Sequence, residues 1–214
     1  MQQPNSQPSA ALMLRETASQ TAGPYVHIGL ALDIAGLPPR EEEIWNRLAS
    51  PQAEGQPIEL VGRVIDGNGD LVRDALLEAW QADAQGHYQC EFDLQAPFNS
   101  FGRTATTVEN DGEWCFHTIK PGQVARRDGR MMAPHVTLAV FARGINMQLH
   151  TRLYFEDEAE ANAACPVLNA VESPTRRQTL IAKREESEGK VRYRFDIRLQ
   201  GEGETVFFDF RANC

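Results

Sequence analysis

From residue 58 onward the chain is a succession of short apolar runs cut by Gly, Asn, Asp and Pro, and that rhythm points to an all-β architecture. The spacing leaves little room for the helical periods that βαβ units require. Ile58 to Ile65 is the first expected strand, closed by Asp66-Gly67-Asn68-Gly69-Asp70, whose residues tolerate positive φ. Ala75 to Ala82 follows. Asn110-Asp111-Gly112 turns the chain into a strand where Trp114, Phe116 and Thr118 alternate with polar partners, so that one face is core, before Lys120-Pro121-Gly122 ends it. Pro134 to Phe141 is the most continuous apolar strand, and Thr151 to Phe155 comes next. Alternation is clearest in Val191 to Leu199, with Tyr193, Phe195, Ile197 and Leu199 on one face and Arg192, Arg194, Asp196 and Arg198 on the other. This strand is expected to pair with Glu204 to Phe210 across Gln200-Gly201-Glu202-Gly203.

Helix is a minor component, expected at Glu156 to Ala164 and at Pro174 to Glu186, with one or two turns within residues 40–48. The fold class expected from the residues is therefore an all-β sandwich or barrel with an N-terminal arm and short helices. It forms one domain over residues 15–214, preceded by a loosely ordered terminus at 1–14.

The charge of -9 over 214 residues repels phosphate, which argues against nucleic acid or an anionic membrane as partner. No stretch reaches membrane-spanning length. Met1 to Ser9 lacks a basic leader, and Ala10 to Leu14 is too short for the apolar part of a signal peptide. Cys90, Cys115, Cys165 and Cys214 form no C-x-x-C pair, which signals neither zinc nor a redox pair and suits reduced thiols in a cytoplasm.

Side chains at i and i+2 of a strand share a face, so His-x-His at a strand start offers paired imidazoles to one metal ion. Here His135 opens the apolar strand and Thr137 holds the second position. None of His27, His87, His117, His135 and His150 stands two or four residues from another. A lone histidine there reads as a hydrogen-bonded structural residue. No H-E-x-x-H, G-x-S-x-G, P-loop or dinucleotide fingerprint occurs, so nucleophilic and nucleotide chemistry have no support.

Two segments carry open alternatives. Ser19 to Leu30 is apolar and aromatic, and Gly23-Pro24 fixes its path; it is either a terminal arm docked on the sheet or a backbone wall beside a ligand. Arg143, at the end of the strand headed by His135, is either a solvated loop residue or a clamp for a carboxylate.

Ser19 to Leu30, Leu77-Glu78-Ala79-Trp80-Gln81-Ala82-Asp83, Thr118 to Gly122, Ala133-Pro134-His135-Val136, Phe141 to Asn146, Arg194 to Ile197 and Glu204 to Asp209 together resemble the intradiol ring-cleaving dioxygenases, from about residue 15 to 210. The resemblance is to the alpha chain of a two-chain member. It implies an antiparallel β-sandwich enzyme that inserts O2 between the hydroxyl-bearing carbons of 3,4-dihydroxybenzoate, using Fe(III) held by two tyrosines and two histidines. Carried onto this sequence, the histidine pair falls on His135 and Thr137. One tyrosine falls at Gln123 or Val124 and the other at Leu94 or Gln95, so only His135 survives, as a vestige. The resemblance thus implies that iron sits on a beta partner within a higher-order alpha-beta oligomer. It also implies that Thr21, Ala22, Gly23, Pro24 and Arg143 of this chain wall the substrate pocket. A competing reading rests on Gly62 to Gly69 and the following strand, which are similar to transthyretin-like modules: a non-catalytic binding or scaffold sandwich.

Overall fold

The computed structural model describes residues 44–187 and 189–209, together with 23, 25–32, 34–38 and 40. The terminus at 1–14, the arm residues Thr21, Ala22 and Pro24, residues 41–43 and Cys214 lie outside these residues.

A nine-stranded sheet dominates. Its first strand β1 (Pro57–Ile65) is the hub, because Glu59 to Val61 pair in parallel with β10 (Lys190–Arg194) and Val64–Ile65 with β11 (Ile197–Arg198), while β4 (Glu113–Ile119) runs antiparallel along the other edge. Between β10 and β11 the strand expected over 191–199 breaks, and the Asp196 side chain takes the backbone N–H of Arg63 at 3.0 Å. The break needs Gly62: a Cβ there would stand 1.9 Å from the carbonyl oxygen of Phe195 and 2.8 Å from the Trp114 ring.

The other half of the sheet runs β3 (Phe101–Ala105), β2 (Leu76–Gln81), β7 (His135–Phe141) and β8 (Leu149–Phe155), all antiparallel. β9 (Ile181–Ser187) joins the halves, parallel to β8 through Tyr154 and Phe155 and antiparallel to β10. Two-residue strands β5 (Val124–Ala125) and β6 (Met131–Met132) form a separate hairpin. The expectation of a wholly antiparallel sandwich thus gives way to a mixed, mostly β sheet. Residues 156–180 supply the crossover that the parallel β8–β9 pair requires, with helices α2 (Ala159–Ala164) and α3 (Pro174–Gln178) in it; near the N-terminus α1 spans Tyr25–Leu30.

Three other expectations are corrected. The helix expected over 174–186 stops at Gln178, after Ser173 caps its start, and the Lys-Arg-Glu-Glu run that follows is strand β9. Its charges are satisfied across strands: Lys183 on Glu156 at 2.7 Å and Glu185 on Arg194 at 3.1 Å. Glu204 to Phe210 forms no hairpin strand among the described residues. Only Thr205 meets Arg198, through backbone and side-chain hydrogen bonds of 2.9 Å, and Phe208 then bridges to His150 on β8. Of the helical turns expected within residues 40–48, the part described at 44–48 holds a bend and a bridge and no helix.

The main core lies between the two halves of the sheet, with Leu60, Trp114, Phe116 and Tyr193 from one and Leu77, Val136, Leu138 and Leu153 from the other, all fully buried. Even-numbered residues of β7 point into it. Odd-numbered ones point the other way, and that second face is where the sequence placed its chemistry.

Candidate functional site

Residues directly opposite across an antiparallel ladder share a face, as do residues two apart. The registers therefore define rows on the outer face of β3–β2–β7–β8. The first row pairs His135 with Tyr154. The second runs Phe101, Trp80, Thr137, Arg152, and the third Arg103, Glu78, Ala139, His150. The fourth is Ala105, Leu76, Phe141.

At the fourth row the face is apolar, and the arm covers it. Ala31 is fully buried with Leu76 and Ala105, and Val26, Ile34, Trp45 and Phe141 pack around them. Two residues beyond Leu76 and Phe141 the ladder ends in Asp74 and Arg143, whose side chains form an ion pair. His27 of α1 lies within the field of both. Burial lowers its pKa first; Asp74 opposes this and Arg143 adds to it. The structure thus brings the arm, through His27 and Val26, to the strand end that carries Arg143. Gly23 has open space where a side chain would begin.

In the third row Arg103 donates twice to Glu78, at 3.0 and 2.5 Å, closing the face with a half-buried pair. In the second, Trp80 stacks on Tyr88 with ring centroids 5.7 Å apart and planes within 4°.

His135 is 1% exposed. Its Nδ1 donates to the carbonyl of Ala133 at 2.8 Å, an assignment forced by an oxygen that can only accept, so Nε2 carries the lone pair. Nε2 is buried with no hydrogen-bond partner. The imidazole pKa is lowered to about 4, first by burial and then by the Arg152 charge, with the Ala133 carbonyl working against both. The Tyr154 ring lies 5.8 Å away; its phenol approaches Cys165 Sγ at 3.9 Å, and its pKa is raised chiefly by burial.

These residues do not fit Fe(III). Among the described residues no group of three or more His, Cys, Asp and Glu can hold a metal ion. Of the positions expected to match the tyrosine ligands, Val124 packs in a buried cluster with Met132 and Tyr154, while Leu94 is an exposed loop residue. The charged group opposite Thr137 is a guanidinium, of the wrong sign to balance a ferric ion.

Sequence reasoning missed Asp74, His27 and Arg152 as neighbours of the site. Their signal is register, two residues past one ladder end and directly across another, and register comes from pairing.

The sheet, mostly β with few helices, carries these groups on one outer face, without a metal-ligand set of its own among the described residues. A family model described as Dioxygenase matches residues 38–201. The chain is 67% identical over 198 residues to the protocatechuate 3,4-dioxygenase alpha chain of Pseudomonas putida, covering 92% of this chain and 98% of that one. It is 30% identical over 171 residues to the beta chain of the same enzyme from Burkholderia cepacia, covering 75% and 71%. Among solved structures, the dioxygenase domain of a dioxygenase carbohydrate-binding protein fusion from Streptomyces sp. SirexAA-E superposes with a TM-score of 0.54 at 21% identity, covering 90% of this chain and all of that one. The chain belongs to the dioxygenase family and, within it, to the protocatechuate 3,4-dioxygenase alpha chains.

Proposed function

We propose that this chain is the alpha subunit of a protocatechuate 3,4-dioxygenase of the intradiol type, working in the cytoplasm in a higher-order oligomer with a beta subunit. The reaction is cleavage of 3,4-dihydroxybenzoate by O2 to 3-carboxy-cis,cis-muconate. The observation that carries the reading is the 67% identity spread over nearly the full length of both chains.

Iron belongs to the beta subunit, where it would draw electron density from the chelated diol and open the ring to O2. This chain's part is to bind and enclose. Arg143 receives the substrate carboxylate, exchanging the Asp74 partner it has in the isolated chain. Thr21, Ala22, Gly23 and Pro24 form a backbone wall against the ring, and the absence of a side chain at Gly23 lets the substrate come close. In an acidic protein a local cation of this kind is what an anionic aromatic acid needs. Residues 15–214 act as one unit in this role.

The test is expression alone and with the beta subunit. The lone chain is expected colourless and iron-free, and the pair coloured and active. Stoichiometric iron in the lone chain would overturn the assignment.

A further inference from the structure

We propose that Arg152 is an internal cation that fills the abandoned metal position of this chain and keeps iron out of it. The inference rests on the functional reading above, in that iron is taken to reside on the beta subunit.

Potential ligands lie near His135: the lone pair of its Nε2 is buried, the Tyr154 ring stands 5.8 Å from the imidazole, and Tyr154 shares a buried cluster with Cys165 and Met132, with Tyr88 packed against it. An imidazole, two phenols, a thiol and a thioether span the donor types that transition metals accept. Losing one histidine at Thr137 would weaken such a pocket without making it inert. What closes it is the residue directly across the ladder from Thr137. Arg152 projects on the same face as His135, and its Nη1 lies 3.4 Å from Met132 Sδ. Its charge acts on His135, Tyr154 and Tyr88 alike. One guanidinium thus sets its positive charge among His135, Tyr154, Tyr88 and Met132. A ferric ion entering the same space would meet a cation that cannot deprotonate.

The experiment uses the assembled alpha-beta enzyme with three variants of this chain: Thr137→His alone, Thr137→His with Arg152→Gln, and Thr137→His with Arg152→Lys. Each is loaded with Fe(III), then assayed for iron per alpha-beta pair and for phenolate-to-iron absorption. The single variant and the lysine variant should carry only the iron of the unmodified enzyme. The glutamine variant should gain a further equivalent, with the partner's activity unchanged. A gain of iron in the single or the lysine variant would overturn the proposal, and so would an assembled, active glutamine variant that gains none. Iron in the unmodified lone chain would instead count against the functional reading, so the two failures are distinguishable.

Discussion

The carboxylate of Asp74 and the guanidinium of Arg143 close the outer end of the β2–β7 ladder as an ion pair, beside the one arm histidine, His27. Their strands run in opposite directions, so the pair joins the entry of one to the exit of the other. Arg143 is held at a strand end rather than left to wander in solvent, although 69% of its side chain is exposed.

On its proposed role, replacing Arg143 by alanine in the alpha-beta enzyme should remove the clamp for the substrate carboxylate. A charged hydrogen bond contributes about 1.5 to 3 kcal/mol, and solvent screening at an exposed side chain places the loss at the low end, about a tenfold rise in KM. Steady-state kinetics with iron analysis check this: KM should rise while iron content stays constant.

On the proposed exchange, Asp74→Asn removes the carboxylate that the substrate must displace from Arg143. A roughly threefold fall in KM is expected, as befits a screened ion pair, with kcat unchanged. The double-mutant cycle decides the matter. In an Arg143→Ala background the Asp74 substitution should have no further effect on KM.

His135 gives a pH dependence. Its folded pKa is depressed to about 4 against an ordinary 6.5, so the native state stays neutral where the unfolded chain takes up a proton. Its contribution is therefore fully present above about pH 6.5 and is lost as pH falls towards 4, by about 3 kcal/mol in all. Urea midpoints measured from pH 7.5 to 4.5 should decline more steeply in the parent than in His135→Gln. Parallel profiles would refute the assignment.

Gly62→Ala should be among the most damaging single substitutions in the chain. The added carbon would lie 2.6 Å from the carbonyl carbon of Phe195, and neither the backbone there nor the buried Trp114 can withdraw. A loss of about 3 kcal/mol or more is expected, read as a fall in thermal midpoint or as insoluble chain.

Period-two alternation shows how far the sequence alone could be read. It put Trp114 and Phe116 inside, separated Tyr193 and Ile197 from Arg192 and Arg194, and set His135 and Thr137 on one face. β3 escaped because Gly102 and Arg103 interrupt its apolar pattern; the glycine is needed where a Cβ would stand 2.4 Å from Leu48. β9 escaped because four charged residues in a row compose a good helix, and only its neighbours on β8 and β10 make them a strand. For the same reason Arg152 and Asp74 could not be assigned to the site. Each acquires its role from the residue opposite, and no local pattern names that residue.

The position of β1 as hub has a consequence for biosynthesis. One edge finds β4 within the first 120 residues, but the other finds β10 and β11 only when Arg192 to Arg198 have been made. Until then Leu60, Val61 and Val64 belong to a strand with one bare edge on the ribosome, the state most open to wrong pairing. Closure of that edge is the step nascent-chain chaperones would guard, and a chain cut short before residue 190 would never reach it.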